Sequence, residues 1–333
     1  MWSWIKRISL LVLFLVLLAA AGMSWYAHQP LQLRSDPATF SIKPGSSLKS
    51  ASRQIAESGV ELGAWQFNLL GRALGRAGDI KAGSYQVGKG ITPLALLDKL
   101  TAGEVAQAEI VFVEGWNFRQ LRAALDADPD VKHDSTNLSE EEIMTRLGAA
   151  GRSPEGLFFP DTYVFGKGTS DLDILKRAYE AMDRRLQAAW QQRAPDLPYR
   201  DPYEALIMAS VIEKETGKAS ERPMVAGVFV NRLRIGMMLQ TDPTVIYGLG
   251  DKFDGNLRKK DLRADTPHNT YTRPGLPPTP IAMPGSASLH AALNPAKTEA
   301  LYFVARGDGS SEFSRTLAEH ARAVAKYQRK RKR

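Results

Sequence analysis

Ala205-Leu-Ile-Met-Ala-Ser-Val-Ile-Glu213-Lys-Glu215-Thr216 is the stretch on which the reading of this chain turns. Its run of apolar residues, broken only by Ser210, reads as a buried helix, predicted over Tyr203 to Thr216, and it ends in two glutamates. At about 100° per residue the two carboxyls point about 200° apart, so they cannot do the same job. Glu215 follows Ile212 by three residues, Val211 by four and Met208 by seven, and so continues the apolar face. Glu213 falls nearer Leu206, Ala209 and Ser210, a face of smaller residues. A carboxyl held against an apolar face loses hydration and its pKa rises. That keeps its proton available for general-acid work near neutral pH. Helix geometry therefore favours Glu215 as the acid. Taken alone, the same helix also admits two solvated glutamates at its end.

Outward from this helix the chain is rich in polar turns. A second helix is predicted from Ser220, as its cap, to Arg234, with Gly236 as its stop. Beyond Gly236 come loops: Leu239-Gln240-Thr241-Asp242-Pro243-Thr244, Asn269-Thr270-Tyr271 and Gly275-Leu-Pro277-Pro278-Thr-Pro280. Short polar groups of this kind read sugar hydroxyls and amides, and a tyrosine stacks on a pyranose face. Each string singly is also ordinary turn chemistry. The five histidines are not spaced as helical ligand pairs, and there is no cysteine, no glycine-rich phosphate loop and no G-x-S-x-G elbow. Carboxylates remain as the chemistry-bearing groups, and no metal or cofactor is expected.

Upstream, alternation and helical spacing give a small α+β unit over 40–105. It has a strand at Phe40–Lys43, helices at Leu48–Ser58 and Gly63–Leu74, a strand at Gly83–Val87 and a helix opened by Thr92-Pro93. A larger region over 106–325 starts with a β-rich run at Ala108–Glu114. It continues through a helix at Phe118–Leu125, a polar insertion over 126–153 with a helix near Glu140–Leu147, and an aromatic segment at 156–165. A long amphipathic helix at Asp171–Arg193 precedes the glutamate helix. Later elements are a helix at Ala287–Leu293, a strand at Leu301–Ala305 and a helix from Leu317 to about Gln328.

The amino-terminal end is different. Ile8 to Ala27 contain no charged residue, and Leu10–Ala21 are Leu, Val, Phe and Ala throughout. A bilayer core of ~30 Å takes about 20 such residues as a helix. Lys6 and Arg7 place residues 1–7 in the cytoplasm, with Trp2, Trp4, Trp25 and Tyr26 as an interfacial belt around the anchor over 8–27. A cleaved signal peptide, cut near Ala19-Ala20-Ala21, is the competing reading. Either way the rest of the chain is exported. Residues 28–39 read as a polar linker.

The 333 residues carry a net charge of +8, which resembles a nucleic-acid signal until it is located. Six basic residues crowd into 326–333, and Lys6 and Arg7 add two; removing these eight from 44 leaves 36, equal to the 36 acidic residues. The body is neutral, the basic tail reads most simply as a solvated end, with contact to anionic lipid headgroups or an acidic polymer as the second reading, and no nucleic-acid partner is expected.

Several motifs, in order, resemble those of the endolytic murein transglycosylases, the YceG-like family. They are Ala209-Ser-Val-Ile-Glu-Lys-Glu215-Thr, Ser220-Glu-Arg, Val228-Phe-Val-Asn231-Arg-Leu and Leu239-Gln-Thr-Asp-Pro-Thr-Val-Ile-Tyr247-Gly. Tyr271 with Gly275-Leu-Pro-Pro, Val113-Glu114-Gly115, Phe159-Pro-Asp161-Thr and Lys81-Ala-Gly-Ser-Tyr85 also match. The resemblance implies an α+β protein with one transmembrane helix, a LysM-like subdomain over 40–105 and a mixed α/β catalytic domain over 106–325. It implies an inner-membrane protein whose bulk is periplasmic. It further implies a lyase that cuts nascent glycan strands at the bond between N-acetylmuramic acid and N-acetylglucosamine, leaving 1,6-anhydromuramoyl ends. Its catalytic residue falls on Glu215, with Glu213 in support. Gln240, Thr241, Asp242, Asn269, Tyr271 and Asp161 become the expected sugar-binding groups. Peptidoglycan strands, the membrane and peptidoglycan synthases (penicillin-binding proteins) become the expected partners. A non-catalytic murein-binding scaffold and a murein hydrolase are the alternative functions.

Overall fold

β1 (Ala38–Ile42) alternates buried Ala38, Phe40 and Ile42 with exposed Thr39 and Ser41, so one face must find a cover. The computed structural model describes residues 2–328 and supplies that cover within a first unit, formed by residues 1–108 and 164–169. The side chains of Trp2 and Ser3 and residues 329–333 of the basic tail lie outside the described residues.

In this unit α1 (Trp2–His28) is followed by β1, α2 (Leu48–Glu57), α3 (Ala64–Ala73), β2 (Gly83–Val87) and α4 (Pro93–Ala102). β1 and β2 pair antiparallel from Ala38↔Val87 to Ile42↔Gly83. Phe40 stacks on Tyr85 at 5.7 Å, and Leu48, Ile55, Phe67, Leu70, Leu96, Leu97 and Leu100 close the core from the helices. Each such side chain contributes roughly 1.5–3 kcal/mol on burial. Ser47 caps α2 and Thr92 caps α4, with Pro93 at the first turn. Gly103 ends α4 in the left-handed region, at φ 75°, where a Cβ would be strained.

Two expectations change here. Residues 28–39 are not a free linker: Leu31 is buried, its N–H donates to the Ile91 carbonyl at 2.8 Å, and Leu33 bridges Val60. Leu31 and Leu33 alternate around Gln32, an extended pattern that polar neighbours obscure. Nor does the whole run over 8–27 face outward. Its last turn joins the core of the first unit, with Ala27 buried and Met23 and Tyr26 packed beside it.

The chain leaves the first unit along β3 (Gln107–Val111) and returns to it briefly at the end of β5 (Thr162–Gly166). The second unit, 109–163 and 170–333, is mostly helical. It holds α5 (Phe118–Ala127), β4 (Val131–Lys132), α6 (Glu140–Arg146), α7 (Asp171–Gln191), preceded by β6 (Thr169–Ser170), and α8 (Pro202–Glu215). Then follow α9 (Arg222–Arg234), α10 (Asp242–Leu249), α11 (Lys259–Arg263), α12 (Ser286–Leu293), the antiparallel hairpin β7 (Tyr302–Ala305) and β8 (Ser311–Ser314), and α13 (Leu317–Tyr327).

α8 runs through the middle of this unit. Asp201 caps it, Pro202 opens it, and every residue from Ala205 to Ile212 is buried against α7, α9 and α12. The predicted insertion over 126–153 is part of the same core. Ile143 and Met144 of α6 are fully buried, and Ser135 hydrogen-bonds buried Asp171 at the start of α7. α9 approaches its neighbour closely at Gly227, where a Cβ would lie 2.6 Å from the Ala296 carbonyl oxygen.

α9 does not start at Ser220. That residue sits in a single 3-10 turn, Ala219–Glu221, and α9 begins at Arg222 with Pro223 in its first turn. The segment after Gly236 is not all loop either. Asp242-Pro243 opens α10, which buries Thr244 and Val245. An Asp-Pro pair marks a turn or a helix start equally well, and tertiary burial outweighs the weak helical propensity of Thr, Val, Ile and Gly that follow.

Candidate active site

α8 delivers its two terminal glutamates to different environments. Glu215, its last residue, is desolvated, which pushes its pKa above the usual carboxylate range. Against that, the Thr241 hydroxyl donates to Oε1 and the Arg232 guanidinium attracts the ionised form, while the Asp242 carboxylate repels it. Burial dominates, so the carboxyl tends to hold its proton, yet a hydroxyl and a cation stand ready for the anion.

Glu213 does the opposite work. Its side chain is 5% exposed and is fully engaged: Oε1 accepts from Arg222 Nη2 at 2.9 Å, and Oε2 accepts the Gly285 N–H at 3.0 Å. It ties the end of α8 to the starts of α9 and α12. Glu114 stands 3.9 Å from the same Arg222 nitrogen, and its carboxyl lies so close over Gly285 that a Cβ there would push it aside. Lys214, between the glutamates, donates to the Gly115 carbonyl at 3.1 Å.

The residue facing Glu215, Thr241, is held by a lattice of threonines. Its N–H donates to Thr270 Oγ1 at 3.1 Å, and Thr244 Oγ1 donates to its carbonyl at 2.7 Å. Thr244 and Thr270 share a further hydroxyl bond of 2.9 Å. Just before Thr241, Gln240 has φ 50°, an unusual backbone for a non-glycine residue, and its N–H donates to the Thr270 carbonyl at 3.1 Å. Arg232, buried on α9, holds this corner. Its Nη1 donates to the Leu239 carbonyl at 2.7 Å, its Nε donates to the Leu301 carbonyl at 2.7 Å, and its guanidinium lies over the Tyr302 ring. Strain at Gln240 beside a buried acid is where a positioned side chain is most valuable. The Gln240 side chain is exposed, as is Asp242, which accepts from the Tyr271 hydroxyl at 2.5 Å. Burial pushes the Tyr271 phenol up, and Asp242 adds to the shift, so Tyr271 stays a donor.

The predicted sugar-binding groups thus divide. Gln240, Thr241, Asp242 and Tyr271 gather about Glu215. Asn269 is fully buried and is spent on its own loop: Nδ2 donates to the Ala264 carbonyl at 2.6 Å and Oδ1 accepts the Tyr271 N–H at 2.8 Å. It shapes the Tyr271 turn. Asp161 pairs with Arg185 at 3.6 Å and accepts the Phe112 N–H through its carbonyl, and among the described residues no hydrogen bond or ion pair joins it to the Glu215 group.

Two groups escaped the sequence. Arg232 lies in the Asn231-Arg232-Leu string, yet its partners are distant in the chain. Glu155 carried no motif, but it is 5% exposed, accepts the Phe118 N–H through both oxygens at 3.3 Å, and accepts the Tyr247 hydroxyl at 3.1 Å. Burial pushes it up to about 7. It joins the start of α5 to α10, and Arg119 of α5 also pairs with Asp251 just beyond α10. Among the described residues no cluster of three or more His, Asp or Glu is placed to hold a metal ion.

Comparison with known proteins fits this arrangement. The YceG-like family model matches residues 40–326. An endolytic murein transglycosylase of Bacillus subtilis is 32% identical, over 86% of this chain and 84% of its own length. One of Streptococcus pneumoniae is 27% identical over 96% of this chain and 64% of its own. A crystal structure of a YceG-like protein from Listeria monocytogenes superposes with a TM-score of 0.55 at 29% identity, covering 86% of this chain and 98% of that one. The match extends across the small unit and the glutamate helix alike, and the chain belongs to the YceG-like family.

Proposed function

We propose that this chain is a membrane-anchored lytic transglycosylase, a lyase that cuts peptidoglycan strands internally at the β-1,4 bond from N-acetylmuramic acid to N-acetylglucosamine. The observation that carries the reading is the setting of Glu215: a carboxyl whose pKa is raised by desolvation, faced by a hydroxyl and a nearby guanidinium that suit the anion. One group so poised can act twice. Protonated, Glu215 donates to the glycosidic oxygen as the bond to C1 breaks, and the leaving sugar departs as an alcohol. The 2-acetamido group of the muramic residue stabilises the positive charge left on C1. Ionised Glu215 then takes the proton of the C6 hydroxyl as that oxygen bonds to C1, closing the 1,6-anhydro ring and restoring the acid. No water enters. Gln240, Asp242 and Tyr271 orient the sugars, Thr241 and Arg232 hold the carboxylate between steps, and Glu213 fixes the helix end through Arg222.

A hydrolase reading rests on one observation. Asp242 is near enough to Glu215 to raise its pKa, and paired carboxylates are what hydrolytic glycosidases use. The bond from Tyr271 to Asp242 favours a binding role for that residue. Digestion of purified glycan strands in heavy-oxygen water separates the two. The transglycosylase yields anhydro ends lighter by one water and free of label; labelled reducing ends would replace this reading with a hydrolase.

The anchor is α1, whose stretch Trp4–His28 contains an 18-residue window with a mean hydropathy of 2.4 and is long enough to cross a bilayer. With Lys6 and Arg7 before the span, the bulk of the chain lies on the periplasmic side of the inner membrane. The β-α-α-β order of the first unit, with antiparallel strands, supports a LysM-like unit. A pull-down of synthases with the full chain tests whether the strand-making machinery is the partner.

A further inference from the structure

The junction between α1 and the first unit fixes a height. Tyr26 and Met23 pack on the core of that unit, Ala27 is buried in it, and the Tyr26 hydroxyl donates to the Gly63 carbonyl at 3.4 Å. Side chains on a helix lean toward its N-terminus, so the spot that Tyr26 covers lies about one residue back, near the level of Trp25. Gly63 is the residue before α3. Counted from Ile8, behind Lys6 and Arg7, the uncharged run of about 20 residues, or ~30 Å at 1.5 Å per residue, matches a bilayer's apolar thickness and ends at Ala27, beside Tyr26. α3 therefore begins where α1 leaves the lipid.

α3 has two faces. Phe67, Leu70 and Gly71 are buried in the unit. The opposite sector, within about 100° of arc, presents Trp65, Leu69, Arg72 and Ala73. Trp65 is 69% exposed and Leu69 46%. Neither Asp nor Glu occurs in Ala64–Ala73. Trp25, beside Tyr26 on α1, is also 68% exposed. An apolar sector with tryptophan at one end and a basic residue at its edge, on a helix whose cap residue Gly63 is held by Tyr26 of α1, has the make-up of a helix lying in the headgroup layer.

We propose that the Trp65–Leu69–Arg72–Ala73 face of α3 rests in the headgroup layer of the leaflet from which α1 emerges, so that the first unit lies on the membrane surface instead of standing off it. The occupant of this face is lipid, with Arg72 meeting headgroup phosphate. The inference rests on the reading of α1 as a span, and its test keeps the two apart.

The chain has no cysteine, so one introduced cysteine is a unique label. The full chain is reconstituted in bilayers of phosphatidylethanolamine and phosphatidylglycerol, with a fluorophore at Leu13→Cys or at Ala73→Cys. It is read against lipid brominated near the headgroup and against iodide in the water. A probe at 13 that iodide cannot reach reports the span. The proposal expects a probe at 73 to lose at least half its emission to brominated lipid, and to recover it in a Trp65→Glu/Leu69→Glu background. A probe at 13 shielded while the probe at 73 ignores brominated lipid overturns the docking and leaves the anchor standing. A probe at 13 open to iodide overturns both.

Discussion

Glu155 offers the sharpest physical test of how the second unit is held. It is buried between the start of α5 and Tyr247 of α10, and burial raises it from 4.5 to about 7. Below the lower value the carboxyl is protonated in both the native and the unfolded chain, and contributes no pH dependence. As pH rises from there, the unfolded chain gives up this proton first; the native state binds more protons, and stability falls. Above the native pKa the loss is complete, at about 3 kcal/mol for that rise. Glu155→Gln copies the protonated acid, with oxygen toward the Phe118 N–H and nitrogen toward Tyr247, and cannot ionise. The variant should match wild type near pH 4 and gain on it steadily, reaching about 3 kcal/mol, or roughly 300-fold in protection, by about pH 8. Hydrogen exchange of the α5 and α10 amides, corrected for its intrinsic pH dependence, measures this. A difference between the proteins that does not change with pH would refute the reasoning, because the burial cost would then not belong to Glu155.

Other substitutions probe the site itself. Glu215→Gln removes a second raised carboxyl, so the variant should melt higher than wild type, by more at about pH 8 than at about pH 5, while losing activity; equal melting at both would show that the acid is not desolvated. Glu213→Gln leaves Arg222 buried with a weaker partner, and calorimetry should show a loss of about 3 kcal/mol. Cleavage by that variant should fall less than in Glu215→Gln, and the reverse order would exchange the roles of the two residues. Arg232→Gln takes away a charge that favours ionised Glu215, so the alkaline limb of the pH–rate profile should move to higher pH, whereas Arg232→Lys should keep the limb and lose rate through the Leu239 corner.

What could be read in the sequence followed from local spacing. The different surroundings of Glu213 and Glu215 come from two residues of helical rotation, and α8 keeps that rotation because each residue from Ala205 to Ile212 is enclosed. β1, β2 and the capped helices of the first unit were legible for the same reason: alternation, Ser47, and Thr92-Pro93 act within a few residues. Features that depend on distant partners were not. Leu31 reads as linker until Ile91 is beside it, and Asp242-Pro243 reads as a turn until Thr244 and Val245 are buried. Glu155 gains its raised pKa from burial, against the lowering pull of a tyrosine hydroxyl 92 residues away. Asn269 looked like a sugar ligand because an exposed amide and a buried loop brace have the same letter; only the carbonyls of its own loop, those of Leu262 and Ala264, distinguish them.

The central claim is that one carboxyl, Glu215, serves as both acid and base. Mass spectrometry of the products from purified glycan strands, for wild type, Glu215→Gln and Asp242→Asn side by side, tests it most directly. The account predicts internal cuts with anhydromuramoyl ends from wild type and, at reduced rate, from Asp242→Asn, and none from Glu215→Gln. Anhydro ends from Glu215→Gln at a rate near wild type would contradict it.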